Sequence, residues 1–181
     1  MSVTTIAPHK SKTEKQILAE RAIIRAKSGL YFLEDIMRNV QGGTDGAYSR
    51  SRYILLSYNF ELILNSLFIL ACQRTTRDEI MGELIAVAKK HDFAHLFNKI
   101  PASLRFGINK VDKDESSGFT EYHVQLNDGT AFVVQDLIDV RYDFKKDTLR
   151  ATNSNEAVEL KTAITALIDV AKEIVSKNSL L

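Results

Sequence analysis

The stretch YILLSYNFELILNSLFILAC, residues 53–72, decides how the chain is read. Wound as a helix it is apolar nearly all the way round, the pattern of a helix surrounded by protein. One polar line breaks it. Ser57, Glu61 and Asn65 recur at every fourth position and share a face. A carboxylate on such a helix must find a partner or neutralise. The stretch is also long enough to cross a bilayer. Glu61 near its centre would cost on the order of 3 kcal/mol there, and Asn59 and Asn65 add to that. The expectation is a core helix of a soluble, cytoplasmic bundle with no membrane partner.

Helical signals extend on both sides. Upstream, Ser11 and Glu14 fit a capping box, in which each side chain satisfies an orphan backbone donor. Ala19, Ile23, Ala26, Leu30, Leu33 and Met37 then recur at alternating spacings of four and three, a seam suited to lying along another helix. Gly42, Gly43 and the turn to Gly46 end it. Downstream, Thr76 and Glu79 open a third helix with Ile80, Leu84, Val87 and Ala88 on its apolar face. A short segment carrying Phe93, Leu96, Phe97 and Ile100 follows, closed by Pro101. Lys110 to Gly118 is charged and reads as a loop. Tyr122, Val124 and Leu126 alternate with polar residues before Asn127-Asp128-Gly129, a hairpin turn signal. A further helix is expected from about Val133 to Lys146. The last begins near Asn155 and repeats Ala157, Leu160, Ile164, Leu167, Ala171 and Ile174. Its spacing matches the first seam, so the first and last long helices should pair. The expected fold is all-α: an up-and-down bundle of about five to six helices, with a small hairpin or loop insertion near residues 118–132.

Composition narrows the classes. The 181 residues suit a single domain over 11–181, with residues 1–10 as a disordered lead-in that lacks a secretory h-region. A formal net charge of +1 argues against a strong non-specific footprint on nucleic acid. The lone Cys72, in an apolar run, reads as a buried hydrophobe and is compatible with a reducing compartment.

Arg141 falls in the apolar stripe of the expected Val133–Lys146 helix, where a Leu would be ordinary. A guanidinium there needs acceptors, and a carboxylate takes it bidentately. Glu61 across the bundle is the obvious partner. Such a pair either sets helix register or lines a polar pocket for an anionic ligand. The pocket would be built from Ser57, Glu61, Asn65, Arg141 and Tyr142.

Three motifs in order carry a family resemblance. Asn59-Phe60-Glu61-Leu62-Ile63-Leu64-Asn65-Ser66-Leu67 resembles the second helix of HEPN domains. His91-Asp92-Phe93-Ala94-His95-Leu96-Phe97 resembles a later segment, and Val140-Arg141-Tyr142 before a final amphipathic helix completes the pattern over about residues 15 to 177. The resemblance implies an all-α bundle, frequently a homodimer, associated with RNA, nucleotides or protein partners in stress, defence or regulation. Catalytically active members are metal-independent ribonucleases that carry an Arg, four to six residues, and then a His. Arg141 matches the Arg, but Tyr-Asp-Phe-Lys-Lys-Asp-Thr follows with no His in reach. Asn65 stands where a Lys is common. Without the His the natural acid/base for RNA cleavage is missing. The resemblance therefore points to a non-catalytic, dimeric binding domain without a cofactor. Ribonuclease activity around Arg141, aided by His95 or His123, and a purely structural bundle are the alternatives.

Other chemistry is thin. His91 and His95 stand four apart with Asp92 between them, yet no third ligand is near, so a capping or interface role for His91 is the better reading and no metal is expected. Asp136, Asp139 and Asp143 read as a solvated acidic stripe. There is no phosphate-binding glycine loop and no nucleophile elbow.

Overall fold

In a computed structural model the chain is described over residues 11–39, 46–88, 91–116, 120–136 and 154–178. Two long helices come first, α1 (Glu14–Asn39) and α2 (Gly46–Ala71), then the shorter α3 (Arg77–Ala88) and α4 (Phe93–Asn98). A 3-10 turn at Ala102–Leu104 leads into β1 (Ile108–Asp114), β2 (Glu121–Leu126) and β3 (Ala131–Gln135). The helix α5 (Ser154–Asn178) closes the described chain.

The helix signals are realised with small shifts. At the start of α1 the reciprocal capping box is Thr13 with Gln16, two residues later than the expected Ser11–Glu14. Thr13 N donates to Gln16 Oε1 at 2.8 Å and Gln16 N to Thr13 Oγ1 at 3.3 Å. Before α3, Thr76 Oγ1 donates to Glu79 Oε2 at 2.7 Å, and that bond holds the Glu79 carboxyl below its ordinary range. The seam of α1 is buried from Ala19 through Leu33, and that of α5 from Leu160 through Ile174. The two helices pack together. At one end, Gln16 Nε2 donates to Asn178 O and Asn178 Nδ2 donates back to Gln16 O, so the start of α1 is clasped to the end of α5.

An all-α bundle is not what forms. β1, β2 and β3 make an antiparallel three-stranded sheet in chain order, laid against α2, α4 and α5. Strand structure is thus not confined to the 118–132 insertion. Lys110 lies in β1 rather than in a loop, because only Ile108 and Val111 of that strand face the core. An irregularity between Ile108 and Lys110 sets them three apart and breaks the alternation. Val133, the expected start of a helix, lies in β3. Phe132 and Val134 turn inward there, and Asp136 just beyond is buried too. The remainder of the expected Val133–Lys146 helix, Arg141 included, lies outside the described residues. The turn Asn127-Asp128-Gly129 does join β2 to β3. Gly129 takes φ 88°, and Asp128 Oδ1 accepts from Thr130 N at 2.9 Å.

Stretch 51–71 of α2 is the one described helix long and apolar enough to cross a membrane, with 61% of its most apolar window buried inside the protein. α1 approaches it closely. A Cβ built at Gly29 would fall far inside contact distance of Asn59 Oδ1 and 2.7 Å from Nδ2, and the Asn59 side chain is itself buried. Within a helix, Gly→Ala ordinarily stabilises by about 1 kcal/mol. Here Gly29→Ala should instead destabilise by about 1–3 kcal/mol, since a buried amide must be displaced. In an Asn59→Ala background the same change should turn neutral or stabilising. Urea denaturation of the four-member cycle reads both signs. An ordinary stabilisation by Gly29→Ala in the parent chain would contradict the close approach.

Candidate functional site

The polar line of α2 becomes a junction between three parts of the fold. Ser57 is fully buried, and its Oγ donates to the carbonyl of Gln135 at the end of β3, at 2.7 Å. One turn on, Glu61 Oε1 lies 3.1 Å from Nδ1 of His91, with the carboxylate side chain 12% exposed and the imidazole 37%. The partner expected from the sequence was Arg141. Among the described residues it is His91, and Arg141 and Tyr142 lie outside them. A further turn along, Asn65 Oδ1 is buried with no hydrogen-bond partner among the described residues. Ser57 and Glu61 thus hold β3 and the α3–α4 turn against α2.

His91 reaches Glu61 because of its backbone. Its φ is 51°, left-handed and uncommon outside glycine and asparagine. His91 N donates to Ala88 O at 2.8 Å, ending α3 in the manner of an αL cap. The next residue, Asp92, then caps α4 by accepting from His95 N at 2.9 Å. The expected capping role of this segment thus holds in its particulars. His91 closes one helix, Asp92 opens the next, and the imidazole swings onto α2. No group of three metal-ligating side chains occurs among the described residues.

On the sheet side Tyr122 completes the junction. Its ring packs on Phe93, with centroids 4.7 Å apart, and Phe93 meets Phe60 of α2 edge-on at 5.4 Å. Its hydroxyl lies 3.3 Å from Asp136 Oδ2 and 3.4 Å from the carbonyl of His91. The stripe reading of Asp136 as a solvated surface residue is therefore overturned. It follows the inward parity of Phe132 and Val134 into the core. Burial, then the negative charges of Asp136 and Asp92, push the Tyr122 phenol well above its ordinary range. At the rim, Lys113 Nζ is 3.7 Å from Asp92 Oδ2 and 2.5 Å from Glu115 Oε1. The bond to Glu115, with Asp92 and Asp136 behind it, holds its ammonium above the usual lysine range.

Chemically, a carboxylate on Nδ1 fixes the imidazole of His91 and leaves Nε2 as the ring nitrogen that Glu61 does not engage. The other histidines stand elsewhere. His95 is exposed on α4. His123 is on the outer face of the sheet, with Nε2 3.4 Å from Asp114 Oδ2. A separate groove of about 620 Å³ runs between α5 and the β2–β3 turn, past Lys161, Thr162, Thr165 and Thr130. Acids and bases nearly balance along it, because Asp169 is paired with Lys172 and Glu173 with Lys177. Tyr122 and Asp136 were missed as site residues by sequence reasoning. Strand parity through residues 132–136 was the available signal.

Comparison of the chain with family models, with curated proteins and with solved structures finds no match.

Two expectations follow from this geometry. At His91 an L side chain holds a left-handed conformation, which costs roughly 1–2 kcal/mol that glycine escapes. His91→Gly should therefore be less destabilising than His91→Ala in chemical denaturation, the reverse of the order at an ordinary helix position. The raised Tyr122 phenol contributes stability that is complete below the unfolded tyrosine range, about pH 10, and is lost as pH rises beyond it. Alkaline titration at 295 nm should show one tyrosine ionising only as the protein unfolds. Tyr122→Phe should abolish that step and, by removing one hydrogen bond to a buried carboxylate, cost about 1–3 kcal/mol at neutral pH. Ionisation of all six tyrosines before unfolding would refute the assignment.

Proposed function

We propose that this chain is a non-catalytic, HEPN-like interaction domain that works as a homodimer and docks a protein partner in a stress, defence or regulatory setting. One observation carries the reading. Two of the polar side chains that looked most like a ligand site, Ser57 and Glu61, are engaged in joining elements of the fold, Ser57 to β3 and Glu61 to His91, and Tyr122 bonded to Asp136 completes the junction. Two further points support it. The described helices α1 to α5 stand where the sequence patterns place helices, with the sheet between α4 and α5. The charge balance, +1 over the chain and near neutral along the α5 groove, favours a protein surface over a polyphosphate.

A second reading, RNA cleavage, draws on one feature. A half-exposed His91 backed by Glu61 is the arrangement of a general base. A direct assay separates the two. Purified protein is incubated with a fluorescein-labelled unstructured RNA and followed by anisotropy and by denaturing gel. The interaction reading expects no cleavage, and binding no tighter than the non-specific range of about 10⁻⁵ M at physiological salt. Cleavage abolished by Arg141→Ala or His91→Asn would overturn it, as would tight binding that weakens steeply with salt.

A further inference from the structure

α1 carries two stripes, and only one is covered. Its buried seam faces α2 and α5. The opposite stripe, Arg21, Ile24, Ser28, Tyr31 and Asp35, repeats at the same alternating spacing of three and four, with Arg25 and Phe32 beside it, and all seven are exposed. Ile24 is 50% exposed and Phe32 59%, large apolar side chains standing in water. The N-terminal half of the stripe is basic, with Arg21 and Arg25 four apart, where like charges repel. The C-terminal half carries Glu34 and Asp35 against the single Arg38, whose guanidinium is 2.9 Å from Glu34 and a looser 3.7 Å from Asp35.

The pattern is complementary to itself. A two-fold axis through Ser28 that sets two copies of α1 antiparallel brings Arg21 opposite Asp35 and Ile24 opposite Phe32. It sets Arg25 opposite the ring of Tyr31, each pair occurring twice. Ser28 on the axis is small enough to let the two helices approach. An isologous contact requires this relation, that residue i meets j and j meets i. We infer that the exposed stripe of α1 is a homodimer interface, an antiparallel helix pair centred on Ser28. The inference rests on the homodimer in the proposed function and says where the two copies meet. Seven side chains a side is small for a specific interface, so the dimer should dissociate at micromolar concentration and weaken with salt.

Sedimentation over a concentration series, together with disulfide trapping, tests it on the full chain. Cys72 is buried, so an introduced thiol is the accessible one. Under mild oxidation Ser28→Cys should form a covalent dimer, because two copies of that residue meet on the axis. Ile85→Cys, exposed on α3, should not. Arg21→Asp should raise the dissociation constant by about tenfold or more, since two ion pairs become repulsions, and Arg21→Asp combined with Asp35→Arg should restore it. A dimer that forms in solution while Ser28→Cys remains uncrosslinked, or while Arg21→Asp has no effect, would overturn the α1 interface and leave the homodimer reading standing. A monomer at all concentrations would overturn both.

Discussion

A carboxylate on the most enclosed helix of the protein has to be answered from another element, and the fold around Glu61 is arranged to answer it. The answer is His91, thirty residues along the chain. To deliver its ring, the turn between α3 and α4 adopts a left-handed residue that is not glycine. That local cost is carried by what surrounds it: the αL cap on α3, the Asp92 cap on α4, and the Tyr122 hydroxyl on the carbonyl of His91. Tyr122 in turn meets Asp136, and Ser57 ties α2 to the adjoining end of β3. Partnered polar groups in a poorly solvated region reinforce one another, and each becomes expensive to remove. The short helices and the sheet are thereby positioned on α2 by a few directional bonds laid over apolar packing.

This arrangement bears on function through what it leaves over. A polar line on a buried helix invites a reading as a ligand pocket, and in a bundle such pockets do form between facing helices. Here its first two members are engaged in assembly. The surface features that remain are of another kind: a nearly neutral groove beside α5, and a stripe on α1 in which charge and apolar bulk are laid out with two-fold symmetry. In the reading proposed above, both serve as contacts with protein surfaces. α2, apolar nearly all the way round, is largely covered by α1, α4, β3 and α5.

Legibility from sequence followed the range of the interactions. The Thr76–Glu79 box, the seams of α1 and α5, the buried face of α4 and the turn at Gly129 could all be read directly. Each is specified by residues within a turn or two of one another. The capping box at α1 slipped by two residues because Ser11 with Glu14 and Thr13 with Gln16 both satisfy the motif. The sheet was underestimated for specific reasons. β1 presents two core residues three apart, and β3 is only five residues long, so in sequence Val133 and Val134 join the following Leu137-Ile138 in a helix-like spacing. Asp136 was placed in solvent because a helix was assumed where a strand sets the parity.

By itself, the sequence determined that the five segments of α1 to α5 would be helical, which residues they would bury, and that Glu61 could not stand alone. Those conclusions need only side-chain periodicity, capping chemistry and the cost of burying a charge. Tertiary structure alone decided that, among the described residues, the group meeting Glu61 would be a histidine from a strained turn. It likewise decided that residues 108–135 would pair as a sheet. In both cases the partners are distant in sequence. Strand register and ion-pair choice follow from which surfaces the rest of the chain leaves facing each other, information that no local window contains.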